Sequence, residues 1–104
     1  MSEQLKQTAP TLDDLRARRD EIVALAEKYG VFDVRVFGSV ARGDATPDSD
    51  FDLIVNARPG TSVFDLVGLW LDLKDLLGRD VSLITDGIED QRFLRRIQRD
   101  LVAL

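Results

Sequence analysis

"FGSVARGDATPDSDFDLIV", residues 37–55, closes one alternating apolar run, passes through a loop rich in Gly, Asp, Ser, Thr and Pro, and opens a second apolar run. Upstream, "VFDVRVFG" sets Phe32, Val34 and Val36 against Asp33, Arg35 and Phe37, the period of a strand with one face on a core, predicted over about 32–37. Downstream, "DFDLIV" places Phe51, Leu53 and Val55 on one face and Asp50, Asp52 and Ile54 on the other. The loop composition between them, residues 38–50, excludes a continuous strand or a long helix.

Working outward, Thr11 followed three residues later by Asp14 predicts a helix start. Leu12, Leu15, Ile22, Leu25, Ala26 and Tyr29 recur at helical spacing up to Gly30, so one helix is expected over 12–29. Residues 1–11 read as a flexible arm, and 12–104 as one domain. Ser62 with Asp65 opens another helix that ends at Gly78, and its apolar residues cover more than one face. Trp70 within it reads as core rather than as a base-stacking platform. "DVSLIT" is a third strand, and Asp86 is placed to cap a last helix carrying Phe93, Leu94, Ile97, Leu101 and Leu104. A hairpin followed by a crossover helix to a third strand gives an α/β (α+β) fold, a small mixed sheet of three or four strands with packed helices.

The 104 residues, 44% hydrophobic, suffice for one modest core. With 14 basic and 19 acidic residues the net charge is −5, which disfavours direct nucleic-acid binding. There is no cysteine and no histidine, so disulfides, thiolate zinc sites and imidazole catalysis are excluded and acid–base work falls to carboxylates. No run approaches the roughly 20 apolar residues of a membrane span, and "MSEQLKQTAP" lacks a signal-peptide pattern; a soluble, cytoplasmic protein is expected.

Asp50 and Asp52, two apart on a strand, point the same way with backbones about 7 Å apart. Like charges so close favour a cation between them, and two carboxylate ligands suit Mg²⁺ carrying substrate phosphates. Gly38 permits a sharp turn and close approach to the backbone, Ser39 adds a hydroxyl donor, and Arg42, one turn on, can reach a phosphate or pair with Asp44 or Asp48. Alone, each piece also fits a solvated loop. Gly-Ser, ten residues and then D-x-D together would arise by chance roughly once in a thousand chains of this length.

These residues resemble the signature of the DNA polymerase beta-like nucleotidyltransferases. Residues 12–104 are similar in length and element order to the minimal nucleotidyltransferase (MNT) domain, the antitoxin beside HEPN-domain ribonuclease toxins. The resemblance implies a nucleotidyltransferase fold, Gly38 and Ser39 on the nucleotide triphosphate, Mg²⁺ on Asp50 and Asp52, and transfer of AMP from ATP to a tyrosine hydroxyl of a HEPN toxin held in a hetero-oligomer. It also implies a third carboxylate on the next strand. Aligned on "GRDVSLIT" that position is Ser82, with Asp80 two residues earlier as the candidate substitute. The competing reading is an antitoxin of weak or no activity that neutralises its toxin by masking it. Arg92, Arg95, Arg96 and Arg99 form a basic stripe on the last helix, either a solvated face or a contact for an acidic partner or for phosphates.

Overall fold

The computed structural model describes residues 8–87 and 91–104. Helices α1 (Leu12–Ala17) and α2 (Arg19–Lys28) lead into strand β1 (Val31–Phe37), a short helix α3 (Gly38–Arg42) and strand β2 (Phe51–Ala57). Helix α4 (Val63–Leu77), strand β3 (Val81–Thr85), helix α5 (Gln91–Gln98) and the two-residue strand β4 (Val102–Ala103) follow. The sheet order is β3-β2-β1-β4, with β1 antiparallel to β2 and β4, and β2 parallel to β3 through the α4 crossover. The expected mixed sheet is therefore present, with β4 as its fourth strand.

Because β2 is central, both its faces are covered. Phe51, Leu53 and Val55 pack with Leu15, Ile22, Leu69 and Leu73 of the helices, while Ile54 meets Phe37 and Ile97 on the opposite side under α5. Asp52 shares the Ile54 face by strand alternation. Thus α5 and the D-x-D motif lie on one side of the sheet.

Four expectations are corrected. The single helix over 12–29 is broken at Arg18, whose N–H bonds the Leu15 carbonyl at 3.0 Å in a tightened turn before α2 begins. The charges foretell this break: Arg16 sits in the last turn of α1, and Asp20 and Glu21 in the first of α2, each complementing a helix end. In β1 the register shifts between Phe32 and Arg35, so Val31 is buried while Phe32 is exposed. Asp33 carries the irregularity at φ 57°, its carboxylate accepting from Asn56 Nδ2 at 3.0 Å. The last helix ends at Gln98, and Leu101 and Leu104 reach the core from the strand segment that follows. Asp86, expected as a cap, instead pairs with Arg35 at 3.2 Å; residues 88–90, where that helix would open, lie outside the described residues.

Residues 1–7 of the expected arm also lie outside them. Pro10 is buried, and Arg79 Nη2 donates to the Thr8 carbonyl at 2.9 Å. Both capping boxes form, Thr11 with Asp14 and Ser62 with Asp65, and Trp70 donates its indole N–H to the Val81 carbonyl at 2.6 Å. Among the described residues no helix is long and apolar enough to cross a membrane.

Gly68 brings α4 onto Tyr29. A Cβ there would lie 2.7 Å from Tyr29 Cε1, and the ring is held by its hydroxyl donating to Asp72 at 2.6 Å. Alanine is favoured over glycine by about 1 kcal/mol inside a helix, but crowding against a pinned ring costs about 1–3 kcal/mol. Gly68→Ala is therefore expected to lower stability in urea unfolding. In a Tyr29→Ala background the same substitution should raise it.

Candidate active site

The β1–β2 register sets Phe37 opposite Asp52, so the turn after β1 and the D-x-D strand are immediate neighbours. Gly38 opens α3 at φ 75°, and a Cβ at this position would collide with Asp52 Oδ2. Only glycine lets the backbone lie this close to the carboxylate. The first N–H groups of α3 have no partner within the helix, and Ser39 stands among them. Gly43, at φ 83°, ends α3 with its N–H on the Ser39 carbonyl at 2.9 Å.

Asp52 is half-buried on its strand, and Asp50 is exposed just before it. Burial raises the Asp52 carboxyl above the ordinary carboxylate value; a hydrogen bond from the Ser82 hydroxyl opposes this, the Asp50 charge adds to it, and Arg42 opposes it. A half-buried carboxylate repelled by a second one is relieved by a proton or by a cation between the two. Two carboxylates in an all-oxygen environment fit Mg²⁺, with substrate phosphates and water completing the shell. Among the described residues no cluster of three potential metal-ligating side chains forms.

Ser82 occupies the position at which the resemblance implies a third carboxylate. It pairs with Asp52 across the β2–β3 register and places a hydroxyl at that point. Asp80 lies before β3, and its carboxylate, 73% exposed, pairs with Lys74 of α4 at 3.5 Å. The structure thus brings Gly38 against Asp52, sets Asp50 close enough to act on Asp52, and pairs Asp80 with Lys74 of α4. Arg42 is close enough to influence Asp52, and its guanidinium is engaged by Asp44 at 3.2 Å and Asp100 at 3.3 Å, which raise its pKa.

Two contributors were not foreseen. Arg79 donates to the carbonyls of Pro47 at 2.7 Å and Ser49 at 3.0 Å, clamping the loop that delivers Asp50. Its place beside Asp80 in "GRD" hinted at a turn and not at a clamp reaching back thirty residues. Asp100, the distant partner of Arg42, carries no local signal at all. Arg92, Arg95 and Arg96 of α5 are exposed, Arg99 of the expected stripe lies past the helix end at Gln98, and α5 is held to the site's side of the sheet by Phe93 packing edge-on to Phe37, ring centres 5.9 Å apart.

The family profile of the nucleotidyltransferase domain matches residues 21–104. The chain belongs to this nucleotidyltransferase family. A Methanocaldococcus jannaschii protein named for protein adenylyltransferase activity is 37% identical over 81 residues, 77% of this chain and 83% of the relative. The protein adenylyltransferase MntA of Thermococcus cleftensis is 33% identical over 78 residues, 75% of this chain and 79% of that protein. A solved structure described as a minimal nucleotidyltransferase superposes with a TM-score of 0.80 at 39% identity, covering 91% of this chain and 97% of the other. The fold is also that of the MNT antitoxin in a complex with tri-AMPylated HEPN toxin from Shewanella oneidensis, with a TM-score of 0.64 at 17% identity over 85% of this chain and 69% of that one.

Proposed function

We propose that this nucleotidyltransferase is a cytoplasmic antitoxin that transfers AMP from ATP to a hydroxyl, by resemblance a tyrosine's, of a HEPN-domain toxin and so neutralises it. The observation that carries the reading is the packing of Gly38 onto the Asp52 carboxylate, which joins the start of α3 to a carboxylate pair. The relatives named as protein adenylyltransferases support the choice of a protein acceptor.

In this reading the N–H groups at the start of α3 and the Ser39 hydroxyl take phosphate oxygens, and Arg42 exchanges Asp44 and Asp100 for phosphate. Asp50 and Asp52 would hold Mg²⁺, which would supply positive charge against the phosphates. Arg79 keeps the 43–50 loop in place so that Asp50 stays beside Asp52. The acceptor oxygen bonds to the α-phosphorus as the bond to the β-phosphate oxygen breaks, and the hydroxyl proton leaves to solvent.

No carboxylate stands at Ser82 to take that last proton. Serine is not a base at neutral pH, and general-base help is worth roughly 10²- to 10⁴-fold. Ser82→Asp places a carboxylate beside Asp52 and is expected to raise the transfer rate at least about tenfold at saturating Mg²⁺. An unchanged rate, together with loss of activity in Asp80→Asn, would instead make Asp80 the working third carboxylate.

The absence of a three-carboxylate cluster among the described residues favours one second reading, an antitoxin that masks its toxin without modifying it. Intact-mass measurement of the HEPN-domain partner, co-expressed with and without this protein, separates the two. Mass steps of whole AMP units are expected; an inhibited toxin of unchanged mass would establish masking.

A further inference from the structure

Helix α5 lies on the side of the sheet to which Asp52 belongs. Phe93, Leu94 and Ile97 turn inward to Phe37 and Ile54, and just past the helix Asp100 accepts from Arg42 Nη1 of α3 at 3.3 Å. One end of α5 is thus seated at the candidate site. A molecule that reaches the Asp52 carboxylate comes from this side of the sheet and passes beside α5.

The outer side of α5 is charged in a way the rest of the chain is not. At 3.6 residues per turn, Arg92 and Arg95 fall opposite the packed residues and Arg96 falls on the flank; all three are exposed, as is Arg99 after the helix. Residues 91–104 hold four arginines and one aspartate, net +3 in a chain of net −5, so the remainder carries −8. Arg19, Arg35, Arg42 and Arg79 are engaged by carboxylates or carbonyls of the chain. Arg95, Arg96 and Arg99 have no such partner among the described residues. Cations gathered on one face and left unpaired fit an anionic surface.

Position and size decide which anion. In the proposed function the triphosphate lies at the start of α3, on the packed side of α5, whereas these arginines face away from the sheet. A nucleic-acid strand needs a longer track: α5, with eight residues, spans about 12 Å, Asp86 lines the groove beside Arg95, and Asp100 follows Arg99. An acidic patch on a folded protein matches that length, and guanidinium forks suit its carboxylates.

We propose that the outer face of α5 is the docking surface for the acceptor protein, its arginines taking an acidic patch of that protein beside the path to Asp52. This rests on the reading of the protein as an adenylyltransferase acting on a protein.

The test uses the full chain and its HEPN-domain partner. Arg95→Glu combined with Arg96→Glu should raise the KM for the partner at least about tenfold, with kcat and the KM for ATP unchanged and thermal melting retained. Arg95→Gln with Arg96→Gln, which only removes the charges, should give a smaller rise of the same kind. In an Asp52→Asn background, which permits binding without turnover, the glutamate pair should weaken partner affinity by the same factor and flatten its fall as salt is raised from about 0.05 to 0.5 M. Unaltered partner affinity overturns the proposal. So does a raised KM for ATP at unaltered partner affinity, which would give the arginines to the triphosphate. An RNA oligonucleotide bound by the parent and lost by the variant, again at unaltered partner affinity, overturns it too. If the variant weakens the partner's binding and the parent never labels the partner with AMP, the docking surface stands and the adenylyltransferase reading fails. If parent and variant label a subsaturating partner equally well, the reading stands and the docking surface falls.

Discussion

Asp52→Asn is expected to lower AMP transfer by about 10³-fold or more while leaving the fold at least as stable as the parent. The loss follows from its position: Asp52 is the carboxylate against which Gly38 and the α3 turn are packed, and it is the member of the pair that is half-buried. Asn keeps the shape and can still accept from the Ser82 hydroxyl, but it carries no charge for a divalent ion. The stability result follows from the sign of the pKa shift. Burial holds the Asp52 carboxyl above its ordinary value in the folded chain, so the folded state binds this proton more tightly than the unfolded state. The stabilisation is then complete below the unfolded pKa and is lost as pH rises through the folded one, which leaves a charged, unfavourable Asp52 at neutral pH. Removing that charge should raise the melting temperature slightly at pH 7 and shift it little at pH 3.5, where the parent carboxyl is largely protonated. A lowered melting temperature at pH 7 would mean that Arg42 and Ser82 outweigh burial. Asp50, exposed and outside the strand, should show the same loss of activity on Asp50→Asn with no such stability gain.

The two halves of this site were legible because each is written locally. Period two in "DFDLIV" predicted a shared direction for Asp50 and Asp52, although β2 begins at Phe51 and leaves Asp50 in the loop before it; Gly38 marked a turn that only a residue without Cβ can make. Their juxtaposition needed the strand pairing, which the short loop between them implied. What was not legible is long-range or arises from compensation. Phe32 looked like a core residue because alternation assumes an unbroken strand, and Asp33 at φ 57° inverts the faces for one residue. Arg79 and Asp100 act over some thirty and sixty residues of chain, through a carbonyl clamp and an ion pair that no periodicity records. Strand β4 has only two residues, too few to leave a pattern, and Leu101 and Leu104 were apolar at helical spacing although only Gln91–Gln98 is helical. Ser82 was visible as a departure. Its place opposite Asp52 required the register.

Gly38→Ala should abolish detectable transfer and cost about 2–4 kcal/mol of stability, and its comparison with Gly43→Ala isolates the cause. Both glycines have positive φ, 75° and 83°, where an L side chain is strained by about 1–2 kcal/mol. Around Gly43 there is open space, so its substitution should show the strain alone, with transfer within about threefold of the parent. At Gly38 the added methyl meets the Asp52 carboxylate as well, with Asp52 Cγ 3.1 Å away. Either the turn withdraws or Asp52 rotates off Ser82. Both movements separate the α3 turn from the Asp52 carboxylate, which the proposed function gives to phosphate and Mg²⁺, and displacements of about 1 Å in catalytic sites cost about 10² in rate. A double-mutant cycle with Asp52→Ala tests the contact directly: shortening Asp52 removes the atoms that collide, so Gly38→Ala should be less destabilising in that background by at least about 1 kcal/mol. Additive stabilities would mean that the collision is relieved elsewhere, and that Gly38 is needed only for its backbone angle.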